Sequence, residues 1–149
     1  MNENDHITCI PLWDCLLVPL RGDIGDDYAD ELVSEILGRV QRDGCFGVLV
    51  DLSGVWMLDS HLCSVLVRLA LAVRLMGAKT VISGMRREIA MTLEAMGIEL
   101  RGIRTEATLE DALDSMGITY VRRAADVDDE QLVKTLIGDE PERGQGSAT

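Results

Sequence analysis

Aromatic and basic side chains are scarce in this chain. Its 149 residues include two Trp, two Tyr and one Phe, and 14 Lys and Arg stand against 26 Asp and Glu. The core must therefore be built from Leu, Val, Ile, Ala and Met. A formal net charge of −12 opposes unaided attraction to nucleic acid or to an anionic membrane surface. We therefore predict no partner of either kind.

Residues that catalysis requires are also rare. The chain has two histidines, His6 and His61, and lacks a P-loop, a G-x-S-x-G turn and a G-x-G-x-x-G that follows a strand. His61 directly follows Ser60, a poor position for a base that must take its neighbour's proton, and Cys63 lacks a base for the same reason. We predict no catalytic residue, no cofactor and no enzymatic activity. A small α/β enzyme that uses Cys63 or Ser60 is the alternative.

The four cysteines form no C-x-x-C pair and lie in or beside apolar stretches. We interpret them as small core side chains in a reducing compartment. His6, Cys9 and Cys15 match no common zinc-ligand spacing, so we predict no metal site. The N-terminal residues lack the charged-then-apolar pattern of a signal peptide, which favours a cytoplasmic protein.

The most informative stretch runs from Val48 to Gly77. Residues 48–53 form a short apolar run typical of a buried strand, and Gly54 is expected to end it. A helix is predicted over 60–76, with Asp59 or Ser60 as its N-cap. Most of this helix is expected to be buried, because its polar residues form one narrow stripe. The stripe consists of His61, Ser64, Arg68 and Arg74.

Strands and helices alternate along the rest of the chain in the order β-β-α-β-α-β-α-β-α. This order predicts an α/β fold, with about four helices packed on a mixed, mostly parallel sheet. We expect one domain over 1–117, followed by an acidic, partly disordered C-terminal extension over 118–149. The remaining predicted elements are a hairpin of 7–12 and 15–20, a helix over 26–41, a strand over 79–83, a helix over 86–96 with Ile89, Ala90, Leu93 and Met96 on one face, a weak strand within 98–103, and a helix from the capping sequence Thr108–Asp111 to Met116.

Ser60 is placed just beyond the carboxyl end of the predicted strand 48–53, where open α/β sheets carry their functional residues. Its hydroxyl has two interpretations. It can cap the following helix, or it can accept a phosphoryl group, which the positive end of the helix dipole would favour. Spacing alone leaves both open.

Several motifs together resemble the STAS domain of anti-sigma factor antagonists. The resemblance covers roughly residues 7–117 and is closest to the small scaffold proteins of the stressosome. It rests on Val-Leu-Val-Asp-Leu-Ser-Gly-Val at 48–55, Leu-Asp-Ser at 58–60, Leu-Met-Gly-Ala-Lys at 75–79, Ser-Gly-Met at 83–85, Ala-Met-Thr-Leu at 90–93 and Met-Gly-Ile-Glu-Leu at 96–100.

The resemblance implies a phosphorylation switch. Ser60 matches the serine that a switch kinase phosphorylates in that family, Thr92 is a weaker second candidate, and Asp59, His61 and Ser64 would share the partner-binding surface with Ser60. Unphosphorylated protein would hold the kinase, phosphorylation would release it, and a phosphatase would reset the system.

The implied partners are larger STAS paralogues in a multi-subunit complex, in a homo- or hetero-oligomer. The alternative is a free-standing antagonist that binds an anti-sigma factor while it is unphosphorylated. Such antagonists commonly read Asp-Ser-Ser-Gly, whereas this chain reads Asp-Ser-His-Leu at 59–62. That departure favours the scaffold subclass.

Overall fold

A computed structural model describes residues 7–100 and 102–118. It confirms an α/β fold in which a five-stranded mixed sheet carries four helices. His6 and residues 119–149 of the predicted extension lie outside the described residues, so the predicted domain boundary stays a prediction. The elements are β1 (Ile10–Leu12), β2 (Cys15–Gly22), α1 (Asp26–Asp43), β3 (Gly47–Val55), α2 (Ser60–Leu75), β4 (Lys79–Ser83), α3 (Arg87–Ala95), β5 (Arg104–Glu106) and α4 (Leu109–Ser115).

The strand order in the sheet is β1-β2-β3-β4-β5, the order along the chain. β1 pairs antiparallel with β2, and every later pair is parallel. Because parallel crossovers are right-handed, α1, α2 and α3 fall on the same face of the sheet. We call the edge where β2, β3 and β4 end the carboxyl edge, and the edge where they begin the amino edge.

The core has one large and one small part. The large part lies between the sheet and helices α1, α2 and α3, with Leu16, Val50, Leu32, Leu69 and Ile89 among its buried members. The small part lies on the opposite face, where α4 covers the middle of the sheet. It consists of Cys15, Leu49, Val81, Ala112 and Met116. Aliphatic side chains and Met therefore form the core, as the scarcity of aromatic residues predicts.

Gly54 does not end its strand, so the prediction for this residue is wrong. β3 continues to Val55, and Gly54 pairs with Arg21 after a shift in register that follows Pro19. A Cβ atom at Gly54 would lie 2.8 Å from Arg21 Cγ and 3.1 Å from the Leu20 carbonyl oxygen. The glycine therefore allows β2 and β3 to approach closely at an irregular point of the pairing.

The last strand lies outside the predicted interval. Residues 98–100, 102 and 103 form a loop after α3, and β5 begins at Arg104, where it pairs with Val81. The apolar residues of the interval, Ile98, Leu100 and Ile103, pack against the core from this loop. Their apolar character reflects loop packing and not a strand.

Two helices expose part of their apolar side chains. Of the four apolar residues predicted to share one face of α3, Ile89 and Leu93 are buried, whereas Ala90 and Met96 are exposed. α2 buries seven of its side chains but exposes Leu71 and Leu75. No helix in the described part of the chain is long and apolar enough to cross a bilayer.

Candidate functional site

Ser60 is the first helical residue of α2 and not its cap. Asp59 is the N-cap: its backbone is extended, and its Oδ1 accepts a hydrogen bond of 2.7 Å from the Leu62 N–H. The Ser60 side chain is exposed, and its hydroxyl makes no hydrogen bond with any described residue. Asp59 and not Ser60 therefore caps the helix, so the capping interpretation of Ser60 does not hold.

The start of α2 is electrostatically suited to an anion. The first turn of a helix exposes backbone N–H groups and the positive end of the helix dipole. The Asp59 side chain accepts a hydrogen bond from the Leu62 N–H, and the Asp59 carbonyl oxygen accepts one from the Cys63 N–H at 3.1 Å. The N–H groups of Ser60 and His61 remain without a helical acceptor, directly beside the Ser60 hydroxyl.

His61 contacts a neighbouring helix. Its Nε2 lies 3.8 Å from Asp26 Oδ1 and 4.0 Å from Asp30 Oδ1, both in the first turns of α1, and this atom is buried without a hydrogen bond. Arg68 Nη2 donates to the same Asp30 Oδ1 at 3.3 Å. His61 therefore packs the start of α2 against the start of α1.

The four residues predicted to bind a partner differ in their availability. Ser60 and Ser64 are exposed and lie one turn apart on the same side of α2. Asp59 is also exposed, but its carboxylate is engaged in the cap. His61 is partly buried against α1. The surface open to a partner is therefore centred on Ser60 and Ser64.

The loop before Ser60 exposes two large apolar side chains that the sequence prediction missed. Trp56 is 72% exposed and Met57 is 71% exposed, whereas the next residue, Leu58, is buried. The Arg86 guanidinium lies over the Trp56 ring, 4.4 Å from its centroid, and Arg86 Nε donates to the Ser53 carbonyl oxygen at 3.3 Å. A cation over an indole ring holds it in place. The sequence does carry one signal for this surface. Trp56 is one of the two Trp residues of the chain, and it stands three residues before Asp59 and four before Ser60.

A small polar network joins the second half of β3 to the end of β4. Asp51 Oδ2 accepts from the Ser53 hydroxyl at 2.7 Å, and Asp51 Oδ1 accepts from the Ser83 hydroxyl at 3.1 Å. Gly84 follows with a positive φ of 69°, and a Cβ atom there would lie 2.7 Å from Asp51 Oδ1. This packing fixes the points from which the Trp56 loop and the Arg86 loop leave the sheet.

Thr92 lies within α3, away from its first turn. Its side chain is exposed, and its hydroxyl donates to the Glu88 carbonyl oxygen one turn earlier, at 2.8 Å. This hydroxyl is engaged by its own helix, and a phosphoryl group here would lack the favourable end of a helix dipole. The geometry therefore ranks Thr92 below Ser60.

The residues considered for catalysis are not arranged as a nucleophile with a base. His61 Nε2 faces Asp26 and Asp30 of α1. Burial, with a smaller contribution from Asp59, raises the pKa of the Cys63 thiol to about 11, which keeps it protonated near neutral pH. Within residues 7–100 and 102–118 there is also no group of three or more His, Cys, Asp or Glu side chains that could hold a metal ion.

RsbT co-antagonist proteins are among the known proteins to which this chain is similar. The RsbT co-antagonist protein RsbRA of Bacillus subtilis (strain 168) is 33% identical over 107 residues, which cover 71% of this chain and 39% of that protein. This chain therefore spans about two fifths of that relative's length.

Solved structures share the fold. A serine-to-glutamate variant of RsbS from Moorella thermoacetica superposes with a TM-score of 0.67 at 24% identity, over 74% of this chain and 94% of that one. A chain from the stressosome, described as a signal integration and transduction hub, superposes with a TM-score of 0.66 at 25% identity, over 74% and 96%. Together with RsbRA, these structures confirm the predicted resemblance to stressosome proteins. Residues 6–112 match the STAS domain, and this chain therefore belongs to the STAS domain family.

Proposed function

We propose that this protein is a non-enzymatic scaffold that sequesters a serine/threonine switch kinase and releases it when Ser60 is phosphorylated. One observation carries the proposal: Ser60 presents an exposed, unbonded hydroxyl on a helix whose cap Asp59 already supplies. The similarity to RsbRA supports a role in partner switching, since that relative is described as an RsbT co-antagonist protein. In the same proposal, larger STAS paralogues join the complex and a phosphatase resets it.

Phosphorylation at this position would change the surface without unfolding the helix. A phosphoryl group adds a charge of about −1.5 to −2 at neutral pH. The free N–H groups at the start of α2 and the helix dipole would stabilise that charge. Asp59 would lie beside it, so the carboxyl edge would become strongly negative around Ser60.

The side chains next to Ser60 explain how a kinase would sense this charge. Trp56 and Met57 offer an apolar anchor of the kind that dominates binding energy at protein interfaces, and Arg86 fixes the Trp ring. A kinase that covers these side chains also covers Ser60 and Ser64. Inside that contact the phosphoryl group would lose its surrounding water while it lies beside the Asp59 carboxylate, and this desolvation and like-charge repulsion would cost several kcal/mol.

Site mapping tests the proposal. The full-length protein is incubated with the switch kinase of the same organism and ATP, and the phosphorylated peptide is located by mass spectrometry. We expect phosphate on Ser60, no phosphate in Ser60→Ala, and unchanged incorporation in Ser64→Ala and Thr92→Ala. Phosphate that persists in Ser60→Ala, or that is lost in Ser64→Ala, would contradict the assignment.

A further inference from the structure

Arg86 contacts the loop that leads to Ser60 and leaves most of its hydrogen-bonding capacity unused. It is the N-cap residue of α3, at the carboxyl edge where β4 ends. Its guanidinium lies 4.4 Å from the centroid of the Trp56 ring, and its Nε donates to the Ser53 carbonyl oxygen at 3.3 Å. No acidic side chain in residues 7–100 and 102–118 pairs with it. Both contacts of this cation are therefore with uncharged groups.

A phosphoryl group is a stronger partner for this guanidinium than either group it now contacts. A guanidinium has five N–H donors in a planar fork and binds phosphate through two parallel charge-assisted hydrogen bonds. Such bonds are about twice as strong as those between neutral groups. The bond from Arg86 to Ser53 is single and long, and the contact with Trp56 lies at an exposed ring, where a cation–π contact is weak. A phosphoryl group within reach would therefore displace the ring contact.

Ser60 would place a phosphoryl group close to this guanidinium. Trp56 and Ser60 are joined by four residues of chain, which span about 14 Å when fully extended. Arg86 leaves the sheet at the same edge, so its long side chain can turn from the Trp56 ring toward the start of α2. Arg68, on the same helix as Ser60, is already paired with Asp30 at 3.3 Å. Arg86 is therefore the better placed of the two cations.

We propose that Arg86 is the receptor for a phosphoryl group on Ser60, and that pairing with it takes the guanidinium off the Trp56 ring. The apolar anchor for the kinase then loses its fixed position when the charge appears. This inference rests on the proposed function. It adds a residue that converts a charge on Ser60 into a change in the surface at Trp56.

Trp56 reports this movement without any kinase. Trp13→Asn leaves Trp56 as the single Trp of the chain, and the positive φ of 51° at position 13 suits Asn. Phosphoserine is incorporated at position 60 of this full chain during translation, and time-resolved fluorescence anisotropy measures the local motion of Trp56. We expect phosphoserine to increase the amplitude of that motion, because the ring loses the cation that holds it. Arg86→Gln without phosphate should show the same increase, and phosphoserine should then add nothing.

The titration of the phosphate tests the pairing directly. A nearby guanidinium favours the doubly charged phosphate, so ³¹P NMR should show a lower pKa for the phosphoserine in the wild type than in Arg86→Gln. Arg87→Gln is the matched control, since Arg87 is adjacent and exposed, and its phosphoserine should titrate as in the wild type. Arg86→Lys keeps the charge but not the planar fork, so its phosphoserine should have an intermediate pKa.

Kinase binding separates this inference from the proposed function. Phosphoserine should weaken kinase binding to the wild type by a larger factor than binding to Arg86→Gln, in which Trp56 is already released. Equal factors, with a clear loss in both, would overturn the role of Arg86 and leave the switch at Ser60 standing. An equal phosphoserine pKa in the wild type and Arg86→Gln, or a Trp56 motion that phosphoserine leaves unchanged, would also overturn it. Phosphoserine that pairs with Arg86 while kinase affinity stays unchanged would uphold the pairing and contradict the switch.

Discussion

Individual residues at the carboxyl edge are placed by backbone geometry as much as by side-chain contacts. Gly84 adopts a left-handed φ of 69° where β4 ends, directly against Asp51 and Ser53. Gly77 adopts a similar φ of 85° in the turn after α2 but has open space around it. Gly77 is therefore required for its left-handed conformation alone, whereas Gly84 is required both for that conformation and for the lack of space around it.

Gly84→Ala should destabilise the protein more than Gly77→Ala. Both substitutions place an L side chain in the left-handed region, at a cost of roughly 1–2 kcal/mol. Only the Gly84 variant also forces a Cβ atom to within 2.7 Å of Asp51 Oδ1. Urea unfolding of both variants measures the difference in free energy of unfolding. Equal losses would show that the Asp51 network does not constrain this turn.

The raised pKa of a buried thiol makes the free energy of unfolding fall at high pH. Burial raises the pKa of the Cys63 thiol to about 11 from an ordinary value of 9.0. Above pH 9 the unfolded chain therefore releases this proton while the folded chain retains it. This contribution to stability is fully present below pH 9 and is lost as the pH rises toward 11.

Cys63→Ala should flatten the fall in free energy of unfolding over that pH interval. Cys45→Ala is the comparison: burial also raises the pKa of this partly buried thiol, so its removal should flatten the fall to a smaller extent. Urea titrations at several pH values between about 8 and 11 give both slopes. A slope in Cys63→Ala that equals the wild-type slope would contradict the raised pKa of this thiol.

At the scale of elements, α2 is the helix on which the proposed switch depends. It begins at the exposed Ser60, packs against α1 through His61, and is anchored in the core by Leu62, Cys63 and Leu69. A buried, capped helix holds its first residue at a fixed position. A partner can therefore recognise a single added charge there.

Asp59→Ala should cost about 1 kcal/mol in free energy of unfolding, because the Leu62 N–H loses its acceptor. Asp59→Asn should retain most of that stability, since an Asn side-chain oxygen also caps helices well. Thermal and urea unfolding measure both. If the Ala and Asn variants were equally stable, the cap would not be what fixes the start of α2.

The sequence predicts elements better than it predicts where they end. Periodicity locates α1, α2 and α3, the capping sequence Thr108–Asp111 locates α4, and the apolar runs locate β2, β3 and β4. Gly54 is wrongly assigned because its role depends on Arg21 of another strand, and residues 98–103 because loop and strand residues are equally apolar when they pack on a core. Ser60 follows from its position, whereas the contact between Trp56 and Arg86 joins residues 30 positions apart, which local patterns do not reveal.

At the scale of the whole molecule, two exposed Trp residues lie at opposite ends of one sheet. Trp56 lies beside Ser60 at the carboxyl edge, and Trp13 lies at the amino edge. The proposed switch therefore occupies one end of the sheet and leaves the exposed side chains at the other end available for a second contact. A scaffold that binds a kinase and other STAS domains together needs such a separation.

The separation predicts that only one of the two Trp residues affects kinase binding. Trp56→Asn should weaken binding of the switch kinase by about tenfold or more, because it removes the apolar anchor beside Ser60. Trp13→Asn, the matched control at the other end of the sheet, should leave kinase binding unchanged. Calorimetric titration of each variant with the kinase measures both affinities. Equal weakening by the two variants would contradict a kinase contact centred on the carboxyl edge.

The most direct test of the central claim is the affinity of the switch kinase for this protein with and without phosphate on Ser60. Because burying a phosphoryl group beside the Asp59 carboxylate at an interface costs about 2–5 kcal/mol, phosphorylated protein should bind about 30-fold more weakly or worse. Ser60→Asp should weaken binding in the same direction, and Ser64→Asp, one turn further along α2, should weaken it less. If phosphorylated and unphosphorylated protein bind the kinase with equal affinity, Ser60 is not the switch.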